Sequence, residues 1–456
     1  MHLRRYSIIC ILLYTLIPVN GQFNTYSPYT RFALGDLAKD GFGQNLAMGG
    51  TGVALHEGNR INYLNPAASA ALDSTSVYFD FGANAFFNQY RYATGDGGST
   101  RSNTWWNMNL HHVAFASSMG KHLGFSAGIV PYSNIGYNIK QEKDNPDKGT
   151  AVDAYYSGDG GIMNFYVGTS VKFFNRVAVG VTMNYLMGRL TRERSVDFPM
   201  HTSYSTVSSS EDFDLRKPVF SLGLQYKEVL GDKFFFSLGG VYDLKTRVEA
   251  NLKYDVLNTI YSTDNISLND SVVITPLYYL ARDTTTRAFT IPEKFGIGIA
   301  MGIPGKLIIT GDYHRQDWTG AFTSPAGVQE NFRTTDAYSV NIGAELLPDA
   351  GALKGYFNYI SYRIGGYYSE SYLSVLKPGK TGNPEDLGDD AYYQLKDYGI
   401  TFGVGLPVKS IRSSINVAFT LGTRGTEMFN LVKENYGIIT FNVTLHDLWF
   451  RKRRFD

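Results

Sequence analysis

The chain has almost no cysteine: Cys10 is the single one among 456 residues. Neither a disulfide framework nor a thiolate metal cluster can be built from it. Charge is scarce at 18%, below the roughly 25% of soluble domains. The signs balance, with 42 Lys+Arg against 41 Asp+Glu and a net charge of +1. A nucleic-acid binder needs a basic surplus to offset phosphates, so nucleic acid is excluded as a partner. No G-x-S-x-G elbow and no H-E-x-x-H is present, and these absences argue against an enzyme or a metal site. Gly296-x-Gly298 sits in a strand pattern with no helix after it, so it is no dinucleotide loop. His111 and His112 are neighbours on a strand pattern, which points them to opposite faces and forbids joint chelation. No catalytic residue, metal ligand or cofactor site is expected. No later segment is apolar for the roughly 18 residues that suggest a spanning helix.

What is present is aromatic and small. Tyr 33, Phe 29 and Gly 48 stand against Pro 15, a composition that suits strands better than helices. Residues 1–21 read as an export signal, with Arg4 and Arg5 before the short apolar run Ile8 to Val19 and small Val19 and Gly21 before Gln22. Period 2 governs the chain from residue 77 to the end. Val177, Val179, Val181, Met183, Tyr185 and Met187 share one face; Ala178, Gly180, Thr182, Asn184, Leu186 and Gly188 share the other. Ile411 to Gly422, Tyr338 to Leu346 and Gly437 to His446 repeat the pattern. A soluble sandwich turns such a greasy face inward, and a membrane barrel turns it to lipid.

The spacing decides between them. Strand patterns fall at 77–87, 106–119, 121–132, 161–174, 176–189, 215–227, 233–246, 288–302, 305–316, 335–347, 354–367, 395–408, 411–423 and 435–448. Most reach the ~9–11 residues that cross a bilayer at a tilt. Short connections (120, 175, 228–232, 303–304, 348–353, 409–410) alternate with long ones (88–105, 133–160, 190–214, 247–287, 317–334, 368–394, 424–434). Outer-membrane barrels have that asymmetry between short periplasmic turns and long external loops. The expected fold is all-β: a transmembrane antiparallel β-barrel of about fourteen strands. It spans 77–456 of the bacterial outer membrane, with both termini periplasmic. Residues 22–76 lack period 2 but carry scattered apolar residues. They are expected to form an N-terminal plug, or hatch, in the lumen.

The plug segment carries a family resemblance. Gly41-Phe42-Gly43-Gln44-Asn45, then Ala47 to Ala54 with Gly49, Gly50 and Gly52, then Asn65-Pro66-Ala67 ahead of Val77 to Phe87, resembles the hatch of the FadL family. The last residues, 449–456, and Gln22 as first mature residue resemble its Bacteroidota branch. Leu55 to Asn59 stand where enteric members carry an acidic pair. The resemblance implies passive outer-membrane transport of hydrophobic compounds such as long-chain fatty acids. It assigns plug and gating roles to Gly49, Gly50, Gly52, Asn65, Pro66 and Ala67. Pro131 stands at the end of the third strand, followed by Asn134 and Gly136, and in the family the third strand is kinked so that the wall opens toward lipid. Proline cannot donate a ladder hydrogen bond, so Pro131 marks a bulge, a gap or a strand end. By parity, Tyr166, Lys172, Leu186, Phe235, Ile308 and Arg412 face the lumen. They are candidates to meet a ligand or to pack on the plug, with Asp36 and Glu57 as acids for the two cations. The partners expected are a hydrophobic small molecule and outer-membrane lipid. The alternative is a non-transporting barrel that serves as a subunit or protein-binding shuttle of an outer-membrane secretion or assembly complex.

Overall fold

The computed structural model describes residues 27–93, 100–145, 150–197, 206–231, 233–260, 275–322, 332–349, 355–377, 387–408 and 410–449. They form one closed antiparallel barrel of 14 strands. In chain order these are β1 (Ser76–Ala93), β2 (Thr100–Met119), β3 (Leu123–Asn145), β4 (Thr150–Phe173), β5 (Val177–Asp197) and β6 (Thr206–Leu230). Then follow β7 (Phe234–Asp243 with Thr246–Ile260), β8 (Thr275–Ile291 with Lys294–Ile303), β9 (Leu307–Asp317) and β10 (Phe332–Thr334 with Asp336–Leu346). The last four are β11 (Ser361–Leu376), β12 (Tyr392–Val408), β13 (Ser410–Gly425) and β14 (Lys433–Leu448). β14 pairs with β1 from Lys433↔Arg91 to Leu448↔Ser76, which closes the ring between the last strand and the first.

An apolar belt rings the outside. On β5 it runs from Val179 to Met187, with Val179, Val181, Met183 and Met187 exposed. Tyrosines mark one border: the Tyr313 and Tyr338 rings lie 6.5 Å apart, and Tyr338 and Tyr368 6.1 Å. Phe79, Phe115 and Trp449 cluster at the other border. Such aromatic girdles sit at the two membrane interfaces.

Several segments expected as long connections continue as strand. β3 continues past 133 to Asn145, β5 past Met187 to Asp197, and β6 begins at Thr206. Gly188 to Asp197 adds roughly 30 Å of strand beyond the belt at ~3.3 Å per residue. Above the belt the outer face turns polar, as in the ion pair Arg189–Asp214 and the hydrogen bond from Thr191 to Asp212. The inner face there carries the greasy residues Leu190, Phe213, Leu215, Val248 and Phe289, which form a core with Phe32 and Leu34. The turn expected at 348–353 is also longer: β10 ends at Leu346 and β11 begins at Ser361, with a 3-10 turn at Tyr356–Tyr359 between them.

Residues 27–75 lie against the inward faces of the strands. Ser27 begins at the end that carries the long connections, where its hydroxyl bonds Glu434. The segment then descends through a two-residue strand, Asp36–Leu37, paired with Asn134 and Ser133 of β3. It ends beside the short turns, where Trp449 N donates to Thr75 O. The first described N-terminal residue therefore sits at the opposite end from the last strand's C-terminus. The fit to the wall is backbone against backbone. A Cβ on Gly180 of β5 would collide with the Pro66 carbonyl, and one on Gly239 of β7 with that of Val53.

Candidate functional site

Among the described residues the wall is interrupted between β2 and β3. β2 and β3 pair from Met119↔Leu123 to Val113↔Ile129 and no further. Beyond that point β2 pairs with β1 alone up to Thr100, while β3 pairs with β4 up to Asn145. Pro131 sits just above the separation, at a register shift between Pro131 and Ser133. Tyr132 is the bulged residue, and its carbonyl accepts from Ala38 N at 2.9 Å. Asn134 pairs with Asp36, and the Gly136 carbonyl accepts from Ser27 N. The inner segment thus takes the place of β2 along this stretch of β3.

A second bulge faces the first across the separation. The register shift on β2 puts Gly82 opposite His112 and Ala83 opposite Leu110, so His111 is the extra residue. The expectation that His111 and His112 point to opposite faces fails for this reason: a bulge breaks alternation. Both rings are buried, with their Nδ1 atoms 2.7 Å apart. His112 Nε2 meets Asp80 Oδ1 at 2.6 Å, and Asp80 also accepts from Thr444 and Asn442. Phe42 of the inner segment stacks on the His112 ring at 3.8 Å. Among the described residues no group of three or more His, Asp or Glu could hold a metal ion.

The residues singled out in the inner segment bind it to the wall. Gly49 N donates to Thr401 of β12 at 2.9 Å, and Gly52 N and Val53 N both donate to Asp312 of β9. Gly49 and Gly50 have φ of 72° and 86°, a backbone that L side chains rarely adopt. Asn65 caps the 3-10 turn Pro66–Ala71 by accepting from Ala67 N, and its amide donates to the carbonyls of Val53, Leu224 and Gly240.

The strongest anchor escaped the sequence reading. Arg60 donates twice to Glu345 of β10, both at 2.8 Å, and contacts Glu57 at 2.6 Å. Arg363 of β11 donates to Glu345 at 2.6 Å and to Asn416 at 2.8 Å. Glu345 and Arg363 are direct cross-strand partners on inward positions. That adjacency of opposite charges on a polar face was the available signal. Glu57 pairs with Arg60 and Asp36 with Arg424, rather than with Lys172. The Arg412 side chain lies outside the described residues.

Above the inner segment a cavity of about 370 Å³ reaches the β2–β3 separation. Gly49, Gly50, Pro131 and Asn134 line it, with Trp105, His111 and Tyr367 among others. Tyr166, Leu186, Phe235 and Ile308 are all buried and do not line it. Tyr166 packs on Tyr63 at 5.3 Å between ring centres. Phe235 and Ile308 pack on Met48 and Leu55, and Leu186 joins the core above the belt. Lys172 lies beside His56 near the short turns and is also outside the cavity.

His56 gives a pH dependence. Burial, followed by the Lys227 charge, pushes its imidazole down to about 4; Nδ1 lies 3.0 Å from the Gln225 side-chain oxygen. The folded state therefore favours neutral His56. Its contribution is fully present above the unfolded value of about 6.5 and is lost as pH falls from there toward 4. The heat-denaturation midpoint of the purified barrel should fall between pH 7 and pH 5. His56→Gln should flatten that fall, and an unchanged slope would remove His56 from the account.

The closed 14-stranded antiparallel barrel is a fold that this chain shares with solved FadL-type structures. Three solved structures are similar in fold. A Pseudomonas aeruginosa FadL homologue has a TM-score of 0.56 at 11% identity, over 91% of this chain and 99% of that one. The Pseudomonas putida toluene transporter TodX gives 0.54 at 14%, over 91% and 100%. The Ralstonia pickettii toluene transporter TbuX gives 0.52 at 15%, over 89% and 98%. Among curated proteins none matches the chain. The chain belongs to the BamG family, whose model matches residues 3–456.

Proposed function

We propose that this barrel is a non-transporting subunit of an outer-membrane assembly or secretion complex. In this reading the inner segment is a fixed plug, the short turns and the C-terminus face the periplasm, and the partners are proteins. The observation that carries it is how the inner segment is held. A buried Arg60–Glu345–Arg363 cluster, the Asp312 clamp on Gly52 and Val53, and glycine-fitted backbone contacts build it into the wall. A conducting barrel has to move such a segment or open a path round it. The tall polar wall formed by β3 to β6 offers protein-facing surface beyond the belt. The test is native mass spectrometry of protein released gently from its own membrane. Stoichiometric partner proteins without a retained hydrophobe are expected; an isolated barrel holding fatty acid or hydrocarbon overturns the reading.

One observation favours the second reading, passive transport of hydrophobic compounds such as long-chain fatty acids with lateral exit. The β2–β3 separation begins within the apolar belt, above Val113 and Ile129, and leads to the cavity. In that reading Pro131, Asn134 and Gly136 frame the exit. Deleting the chain should then slow fatty-acid uptake by intact cells, while the subunit reading leaves uptake unchanged.

A further inference from the structure

The cavity above the inner segment has a chemistry of its own. Six side chains that line it carry buried polar atoms without a hydrogen-bond partner: Asn84 Oδ1, Asn88 Oδ1, Asn134 Oδ1, Asn341 Oδ1, His314 Nδ1 and Trp318 Nε1. Asn84 is 7% exposed and Trp318 0%. Buried polar atoms are almost always paired, and an orphan is costly until something meets it. Concentration of such atoms round one hollow marks a place where a polar partner belongs.

The charges there narrow its class. Lys39 is paired with Asp397, Lys294 with Asp40, Arg315 with Asp336, and Arg424 with Asp36 and Glu434. Every one of these cations lining the cavity is already matched, so none is left over for a carboxylate or phosphate. What remains is neutral: amide oxygens that accept from hydroxyls, an indole that donates, and the flat faces of Trp105, Phe86 and Tyr367. Neutral hydroxyls over flat apolar C–H faces are the surface of a sugar ring.

We propose that this cavity binds a neutral saccharide group. The β2–β3 separation lets a glycolipid present that group from the outer leaflet while its chains stay in the bilayer. A free sugar enters instead from the end that carries the long connections. Rotation of the terminal amides turns the four asparagine oxygens toward the ligand.

The test uses the whole protein in phosphatidylcholine nanodiscs, read by tryptophan emission and native mass spectrometry. Probes are dodecyl maltoside, dodecanoate and maltose. Dodecyl maltoside should bind saturably and at least ~10-fold tighter than dodecanoate, about 1.4 kcal/mol. Maltose at least ~10-fold weaker than the maltoside assigns the site to a lipid-borne sugar. Maltose equal to it assigns the site to a free sugar, and both results support a saccharide site. Asn84→Ala with Asn341→Ala should weaken maltoside binding about fivefold, roughly 1 kcal/mol, with the barrel still folded. Asn88→Ala is the milder variant, and the wild-type comparison decides where neither folds. Dodecanoate binding as tightly as the maltoside, the absence of saturable maltoside binding, or folded variants that bind unchanged would each overturn the proposal.

Discussion

Glu345→Ala should lower the stability of the folded barrel by about 3–5 kcal/mol, because it leaves two buried guanidinium groups without their shared carboxylate. Arg60 and Arg363 both reach Glu345 within 2.8 Å, and all three side chains are nearly inaccessible to solvent. Arg60 retains Glu57 at 2.6 Å, so the loss falls hardest on Arg363 and its Asn416 contact. The control is Arg315→Ala. Its ion pair with Asp336 is 57% and 39% exposed, and such pairs are worth roughly 0–1 kcal/mol. The measurement is the temperature at which the folded form, seen as faster migration on an unheated gel, disappears. A second readout is entry of a large antibiotic into cells carrying the variant. Loosening of the inner segment should raise entry in Glu345→Ala and not in Arg315→Ala. Equal midpoints for the two variants would mean that the cluster does not anchor the segment.

The number and order of strands were legible because lipid imposes one simple rule. Within the belt every outward residue must be apolar, so Val179, Val181, Met183 and Met187 read as a face. Beyond the belt the rule reverses. Arg189 and Glu193 face water, while Leu190, Phe213 and Leu215 turn inward onto Phe32 and Leu34. Period 2 persists there with its polarity inverted, and the upper halves of β3 to β6 therefore looked like loops. The bulge at His111 left no compositional trace, since one inserted residue changes parity without changing residue type. Pro131 did leave one, because a residue that cannot donate interrupts a ladder. Arg60 was invisible as an anchor for another reason. Its partner lies 285 positions away on β10, and no local pattern encodes that meeting.

Gly180→Val should abolish the folded barrel, with recovery in the outer membrane falling at least ~10-fold, an effect worth more than about 1.4 kcal/mol. The strand itself would welcome valine, whose β propensity exceeds that of glycine. The obstacle is what lies inside it. A Cβ at 180 would meet the Pro66 carbonyl and the Ala67 nitrogen. Both belong to a 3-10 turn fixed by the Asn65 cap, and neither can rotate away as a side-chain end could. Gly240→Val is the matched control. It stands in β7, and a Cβ there meets nothing within 4 Å. If inner segment and wall fold as one body, Gly180→Val loses both and Gly240→Val neither. If the segment is a separable insert, Gly180→Val leaves a folded barrel with the segment displaced, open to large solutes. That result would also remove the main support for a non-transporting barrel, since a segment that leaves without unfolding the wall is free to move in function.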